Sequence, residues 1–309
     1  MIKKNNIGVI GIGKLGKFHI DKLNKISGCN FVGAFDLDLD LVNKYSIKNF
    51  LTINELFDEC DSVIISTPTS THYSIAKQAL NLGLNVFIEK PITDNLIDAE
   101  DLAVIAKENN KIIQVGHIER FNKVFIESLK YIKDPQFIEI HRISPFPNRS
   151  LDIDVVMDLM IHDLDILISM NLNNKIIDIK ASGASVITDY IDLANARIQF
   201  EDGLVANLTA SRISAKQMRK IRVFQNKSYL GIDLFEKKLD LYKINHEEND
   251  LIENKKIEIE DSDALELELI HFIDCINNNR KPIVSDRDAI KALKLALKIK
   301  ELINESGKI

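Results

Sequence analysis

The chain has 309 residues, 45% hydrophobic and 28% charged, a globular composition with length for about two domains. A formal net charge of −6 argues against a long basic groove, so nucleic acid is set aside as the main partner and a small molecule is expected. Apolar runs break well before the roughly 18 residues of a membrane span, and residues 1–6 lead into a strand rather than a signal sequence, which predicts a cytoplasmic protein that spans no membrane.

Strand-length apolar runs at Ile7–Ile10, Phe31–Phe35, Val63–Ile65, Val86–Ile88 and Ile112–Val115 alternate with helical periods at Lys14–Lys25, Thr71–Leu82 and Leu96–Glu108. Gly83 marks a helix stop, and Thr93 or Asp94 a helix start. This is the βαβ pattern of a doubly wound parallel sheet, a Rossmann domain over residues 1–117. After Gly116 the pattern changes to a short helix at Asn122–Tyr131, a strand at Phe137–Ile143 and a long helix at Val155–Met170. Residues 176–259 read as strands joined by turns, without interposed helices. The fold class is therefore α/β: the Rossmann domain followed by a C-terminal α+β domain over 118–309 with a large open-faced, mainly antiparallel sheet. Helices at Leu265–Asn277 and Asp288–Ile303 close the chain, the last a candidate to pack back on the Rossmann domain. An open sheet face needs cover, so a homodimer or homotetramer built through it is expected.

Gly11-Ile12-Gly13-Lys14-Leu15-Gly16 follows the first strand and opens the first helix, the context that a dinucleotide fingerprint demands. Gly11 permits the tight turn, Gly13 lets the backbone approach a pyrophosphate, and Gly16 lets helix and strand pack closely. Asp36 ends the second strand, where a carboxylate accepts hydrogen bonds from an adenosine ribose and repels a 2′-phosphate, which predicts NAD over NADP. Thr67 and Pro68 lie at the carboxyl edge of the sheet and His72 just inside the next helix, and all three are expected as cofactor neighbours.

Glu89-Lys90-Pro91 ends another strand at the same edge, which points Lys90 into the nicotinamide crevice, where it would hydrogen-bond or deprotonate a carbinol hydroxyl. Position alone favours the alternative, a surface lysine before a helix-breaking proline. Asp158 and His162, four residues apart, share one helix face, with a carboxylate to orient an imidazole base. That spacing also suits a common helix ion pair, but the two interrupt the apolar run Val155, Val156, Leu159, Ile161, Leu164. The other histidines, His19, His117, His141, His246 and His271, lack such a setting. Cys29, Cys60 and Cys275 have neither disulfide nor metal-ligand spacing, so no metal is expected.

With Ser66-Thr67-Pro68, Gly116-His117 and Arg120-Phe121-Asn122, these motifs make the chain resemble the glucose–fructose oxidoreductase, inositol dehydrogenase and MocA family along essentially its full length. The resemblance implies that Lys90 is catalytic, that its bond to Pro91 is cis, and that Asp158 and His162 act with it at the carbinol. Lys123 departs from the proline many members carry after Arg-Phe-Asn. Residues 137–163 look like a bacterial branch that includes UDP-N-acetylglucosamine 3-dehydrogenases, which make a 3-keto sugar nucleotide on the way to a 3-amino sugar of lipid A. Arg120, Arg142 and Arg149 flank the presumed active segment and as a cluster would grip a diphosphate, placing them with Asp158 and His162 as substrate-binding candidates, although each taken singly better suits a salt-bridge or surface arginine. A free sugar or polyol such as an inositol is the alternative substrate. A non-catalytic NAD or sugar sensor on the same fold is a third reading, which the retained Lys90, Asp158 and His162 argue against.

Overall fold

The computed structural model describes residues 4–38, 41, 45, 47–146, 153–170, 175–245 and 251–305. It divides into two compact units. The first comprises Met1–Ile118 and Asp263–Leu293, and the second Glu119–Ser262 and Lys294–Ile309.

In the first unit, β1 (Asn5–Ile10), β2 (Cys29–Phe35), β3 (Ser62–Ile65), β4 (Asn85–Ile88) and β5 (Ile113–Val115) form a parallel sheet in the order β2-β1-β3-β4-β5. Its central strand, β3, is buried end to end, as expected of a sheet covered on both faces. The helices are α1 (Lys14–Leu23), α2 (Ile53–Glu59), α3 (His72–Asn81) and α4 (Leu96–Glu108). Sequence reading omits α2, although Thr52 caps it by accepting from Glu55 N–H at 3.2 Å. The cap of α4 is Asn95, whose side chain accepts from Asp98 N–H at 2.9 Å, rather than Thr93 or Asp94.

Sequence reading places the whole of 118–309 in the second domain, but α7 (Ala264–Asn278) belongs to the first unit and packs on α1 and β1. Leu269, Phe272 and Ile273 of α7 join Ile7, Val9, Ile20 and Phe87 in one core, and the Phe87 and Phe272 rings meet edge to face at 5.7 Å. The last helix, α8 (Asp286–Glu305), is divided between the units after Leu293.

The second unit begins with α5 (Lys123–Ser128), capped by Asn122, and β6 (Phe137–Ile143). A π-helical turn over Val156–Met160 then runs into α6 (Ile161–Ser169). Strands β7 (Ile176–Ala184), β8 (Leu193–Phe200), β9 (Val205–Ser211), β10 (Met218–Gln225), β11 (Ser228–Asp233), β12 (Lys238–Asn245) and β13 (Leu251–Ile257) follow, with no helix interposed among the described residues. The sheet order is β13-β12-β11-β10-β6-β9-β8-β7. All pairs are antiparallel except β6 with β9, because β6 enters between two strands made later in the chain. Alternation along β6, β8 and β9 buries one face and leaves the other half-buried or exposed. Among the described residues no helix is long and apolar enough to cross a membrane, and no group of three His, Cys, Asp or Glu side chains could hold a metal ion.

Candidate active site

The dinucleotide cradle is built from the carboxyl ends of β1, β2 and β3. Gly11 has φ +89°, a left-handed conformation that favours glycine, and its N–H donates to the Phe35 carbonyl at 2.9 Å. The Ser66 hydroxyl donates to the Gly11 carbonyl at 2.8 Å, tying the Ser-Thr-Pro turn to the glycine turn. A Cβ on Gly16 would lie 1.9 Å from the Gly11 carbonyl oxygen, so only glycine lets α1 start this close to β1. Gly13 differs: its φ of −62° suits any residue, and a Cβ there would meet nothing within 4 Å. The fold has no need of glycine at that position; an approaching ligand does. Gly13 also gives α1 no side-chain cap, so the first-turn N–H groups at Lys14, Leu15 and Gly16 suit an anion.

Asp36 is half-buried where β2 ends. Its Oδ2 accepts from Ile12 N–H at 2.5 Å and its Oδ1 from Asp38 N–H at 2.9 Å, which fixes the carboxylate beside the glycine turn. These features fit NAD, with the Gly11–Gly16 main chain as the pyrophosphate seat and Asp36 as the ribose acceptor.

The Glu-Lys-Pro turn lies at the same edge. Glu89 N–H donates to the Ile65 carbonyl at 2.9 Å, so the chain leaves the sheet at Lys90, and the Lys90–Pro91 peptide bond is cis as the resemblance implies. Lys90 is half-buried between buried Glu89 and Pro91. His72 lies beside this turn. It is 1% exposed, with Nδ1 2.9 Å from the Pro91 carbonyl and Nε2 3.0 Å from the Thr67 carbonyl. Burial pushes its pKa down against those carbonyl contacts. Its role is to join the Ser-Thr-Pro and Glu-Lys-Pro turns, while the Thr67 hydroxyl accepts from Thr71 at 2.7 Å.

In the second unit, Asp158 and His162 are half-buried positions in a segment whose other residues from Asp154 to Leu167 are buried, Leu159 apart. Asp158 stands in the π turn and His162 in the first turn of α6, so the widened turn, rather than a continuous α-helix, sets their spacing. The segment is anchored at its start by Asp154, whose Oδ1 accepts from Val156 and Met157 N–H at 3.0 Å and whose Oδ2 meets Lys300 at 2.7 Å.

Arg142 is 4% exposed, with Nε donating to Asp163 at 2.9 Å and Nη1 to Glu119 at 2.9 Å. It is an internal cation for two buried carboxylates. Burial alone would push the Glu119 carboxyl up, but Arg142 and Arg219 outweigh it and hold the group below the usual glutamate range. At Asp163 burial wins over Arg142 and leaves the carboxyl above its ordinary value. Arg120 pairs with buried Asp165 at 3.3 Å, and Arg149 lies outside the described residues. Sequence reading passes over two other groups: Arg219, partly exposed and 3.1 Å from Glu119, and His19, whose Nε2 is 2.6 Å from Glu89 Oε1.

A glycine turn open to a pyrophosphate, a ribose acceptor beside it and a lysine turn at the same sheet edge define an NAD-dependent dehydrogenase. Residues 5–117 match the family described as "Oxidoreductase family, NAD-binding Rossmann fold". The chain belongs to this glucose–fructose oxidoreductase, inositol dehydrogenase and MocA family. It is 33% identical to the UDP-N-acetylglucosamine 3-dehydrogenase of Acidithiobacillus ferrooxidans over 294 residues, 90% of each chain. A solved structure of the A. ferrooxidans enzyme superposes with a TM-score of 0.90 at 32% identity, covering 98% of both chains. It is 25% identical to the scyllo-inositol 2-dehydrogenase (NAD(+)) of Bacillus subtilis over 316 residues, 94% of this chain and 91% of the relative.

Proposed function

We propose that the protein oxidises a secondary hydroxyl of a sugar nucleotide, with C3 of UDP-N-acetylglucosamine as the substrate position. The observation that carries this reading is the likeness, at 33% identity over 90% of each chain, to a UDP-N-acetylglucosamine 3-dehydrogenase. Lys90, Asp158 and His162 support it, each half-buried beside buried neighbours. NAD, when bound, supplies the hydride acceptor. His162 takes the hydroxyl proton, Asp158 orients the imidazole for that transfer, and Lys90 stabilises the developing alkoxide through its ammonium. The reading requires no phosphate contact from Arg142.

Nicotinamide absorbance of the protein supplied with NAD tests this, before and after addition of UDP-N-acetylglucosamine and, separately, a panel of free polyols. A reduced-cofactor signal with the UDP sugar alone is expected. A signal with a polyol alone would replace the reading by the inositol-type one, which the likeness to scyllo-inositol 2-dehydrogenase favours. We further propose a homodimer or homotetramer through the open face of the large sheet. There Phe224, Tyr229 and Tyr242 stack across neighbouring strands, with the two tyrosine rings 4.3 Å apart. Sedimentation as a monomer at micromolar concentration would contradict it.

A further inference from the structure

Glu89 carries a carboxylate where burial makes an unpaired charge costly: the residue is 8% exposed and immediately precedes Lys90. Three elements of the first unit converge on it. His19, 0% exposed in the middle of α1, places Nε2 2.6 Å from Glu89 Oε1. Phe87 packs edge-on against the His19 ring at 5.3 Å, which fixes the plane of the imidazole. Gly116, just past β5, leaves room for the other oxygen, since a Cβ there would lie 2.8 Å from Glu89 Oε2. His19 Nδ1 is buried and makes no hydrogen bond, so the tautomer that fits carries its proton on Nε2 and donates it to the carboxylate. Neither the dinucleotide cradle nor the proton transfer at the carbinol uses His19.

We infer that His19 is a positioning residue for Lys90, acting through the Glu89 carboxylate. The imidazole N–H satisfies that carboxylate on the α1 side, so the charge competes less for the neighbouring ammonium. The bond also fixes the main chain at 89, from which Lys90 departs. His72 holds the other flank of the lysine through the Pro91 carbonyl, 2.9 Å from Nδ1. Lys90 thus stands between two residues that are each clamped by a buried histidine. A misplacement of catalytic groups by about 1 Å costs turnover heavily while leaving remote binding contacts in place.

The inference rests on the catalytic assignment of Lys90, and the test separates the two. His19→Leu keeps an apolar contact for Phe87 and removes the donor. His19→Gln offers an amide N–H near the position of Nε2. Steady-state kinetics with UDP-N-acetylglucosamine and NAD should show kcat lowered about tenfold in His19→Leu, KM for NAD within about twofold of wild type, and His19→Gln within about threefold in both. In parallel, the acetylation rate of Lys90 by acetic anhydride, read by peptide mass spectrometry against other lysines of the same digest, should change about threefold or more in His19→Leu and return in His19→Gln. This second readout needs no substrate, so a wild-type enzyme inactive on the UDP sugar would sink the substrate reading while the acetylation still decides the role of His19. Wild-type kcat and wild-type Lys90 acetylation in His19→Leu would overturn the inference. So would a His19→Gln variant as impaired as His19→Leu. If His19→Leu does not fold, His19→Asn, whose shorter side chain falls short of Glu89, takes its place with the same two outcomes.

Discussion

Arg142→Met decides between a structural cation and a substrate ligand. Arginine and methionine fill similar lengths of core, so the change removes chiefly the charge and its donors. In the wild-type protein the Arg142, Glu119 and Asp163 side chains are each 5% exposed or less, at 2.8 and 2.9 Å in the two ion pairs. Without Arg142, the two carboxylates share the interior with Arg219 alone, whose side chain is 39% exposed and 3.1 Å from Glu119. Removing one partner of a buried pair costs about 3–5 kcal/mol. For a chain of this size that is a fall in Tm of roughly 10 °C. The cost depends on pH. Glu119, held below its ordinary value, contributes stability that is present above the usual glutamate range and fades as pH falls through its depressed value. Asp163, raised by burial, works the other way: its cost is absent below the usual aspartate range and grows as pH rises. Removing Arg142 leaves burial with little opposition at both carboxyls, so both rise, and the deficit of the variant shrinks as the medium is acidified. Urea midpoints of wild type and variant at about pH 8 and about pH 5 should therefore differ more at the higher pH. Wild-type midpoints at both pH values, together with a raised KM for the UDP sugar, would refute this account and restore Arg142 to the substrate site.

Three further predictions concern the first unit. Lys90→Met should lower turnover by about a hundredfold or more with NAD affinity near normal, and turnover within about threefold of wild type would remove Lys90 from the mechanism. The two glycines of the cradle should part company: Gly16→Ala forces a 1.9 Å clash with the Gly11 carbonyl and should prevent stable folding of the unit, whereas Gly13→Ala meets nothing and should keep Tm within a few degrees while weakening NAD binding. Thermal melts with and without NAD check both, and an unaltered ligand-induced shift in Gly13→Ala would contradict the seat assigned to the pyrophosphate. Asp36→Ala should lower kcat/KM for NAD about tenfold and narrow the preference over NADP, and an unchanged ratio of the two efficiencies would remove Asp36 from cofactor selection.

The cofactor cradle was readable because its parts are local: a strand, three glycines at fixed spacing and an acid at the next strand end. Asp158 and His162 stand out in the sequence as polar residues inside an apolar helical run. The burial of Arg142 could have been foreseen in the sequence, since it shares parity with Ile138 and Ile140 on a strand whose alternate residues are buried. Helix α2 also announced itself through Thr52 and Glu55, the spacing of a capping box. His19 gave no such sign, because what makes it notable is a partner 70 residues away. The π turn at Val156–Met160 and the parallel pairing of β6 with β9 are likewise set by tertiary packing rather than by local pattern.

The placement of α7 bears on the order in which the molecule is made. Protein synthesis usually lets an N-terminal domain fold while the rest of the chain is still emerging. Here a nascent chain that has released all five strands of the parallel sheet still lacks Leu269, Phe272 and Ile273, which share a core with Ile7, Val9, Ile20 and Phe87. The hydrophobic side of α1 and β1 stays open until the whole of residues 119–262 has been translated. The ribosome thus releases a NAD-binding unit whose own core is finished only after residues 119–262 of the second unit have been synthesised, and a fragment ending at Ile118 would emerge with an apolar face that the full chain hides.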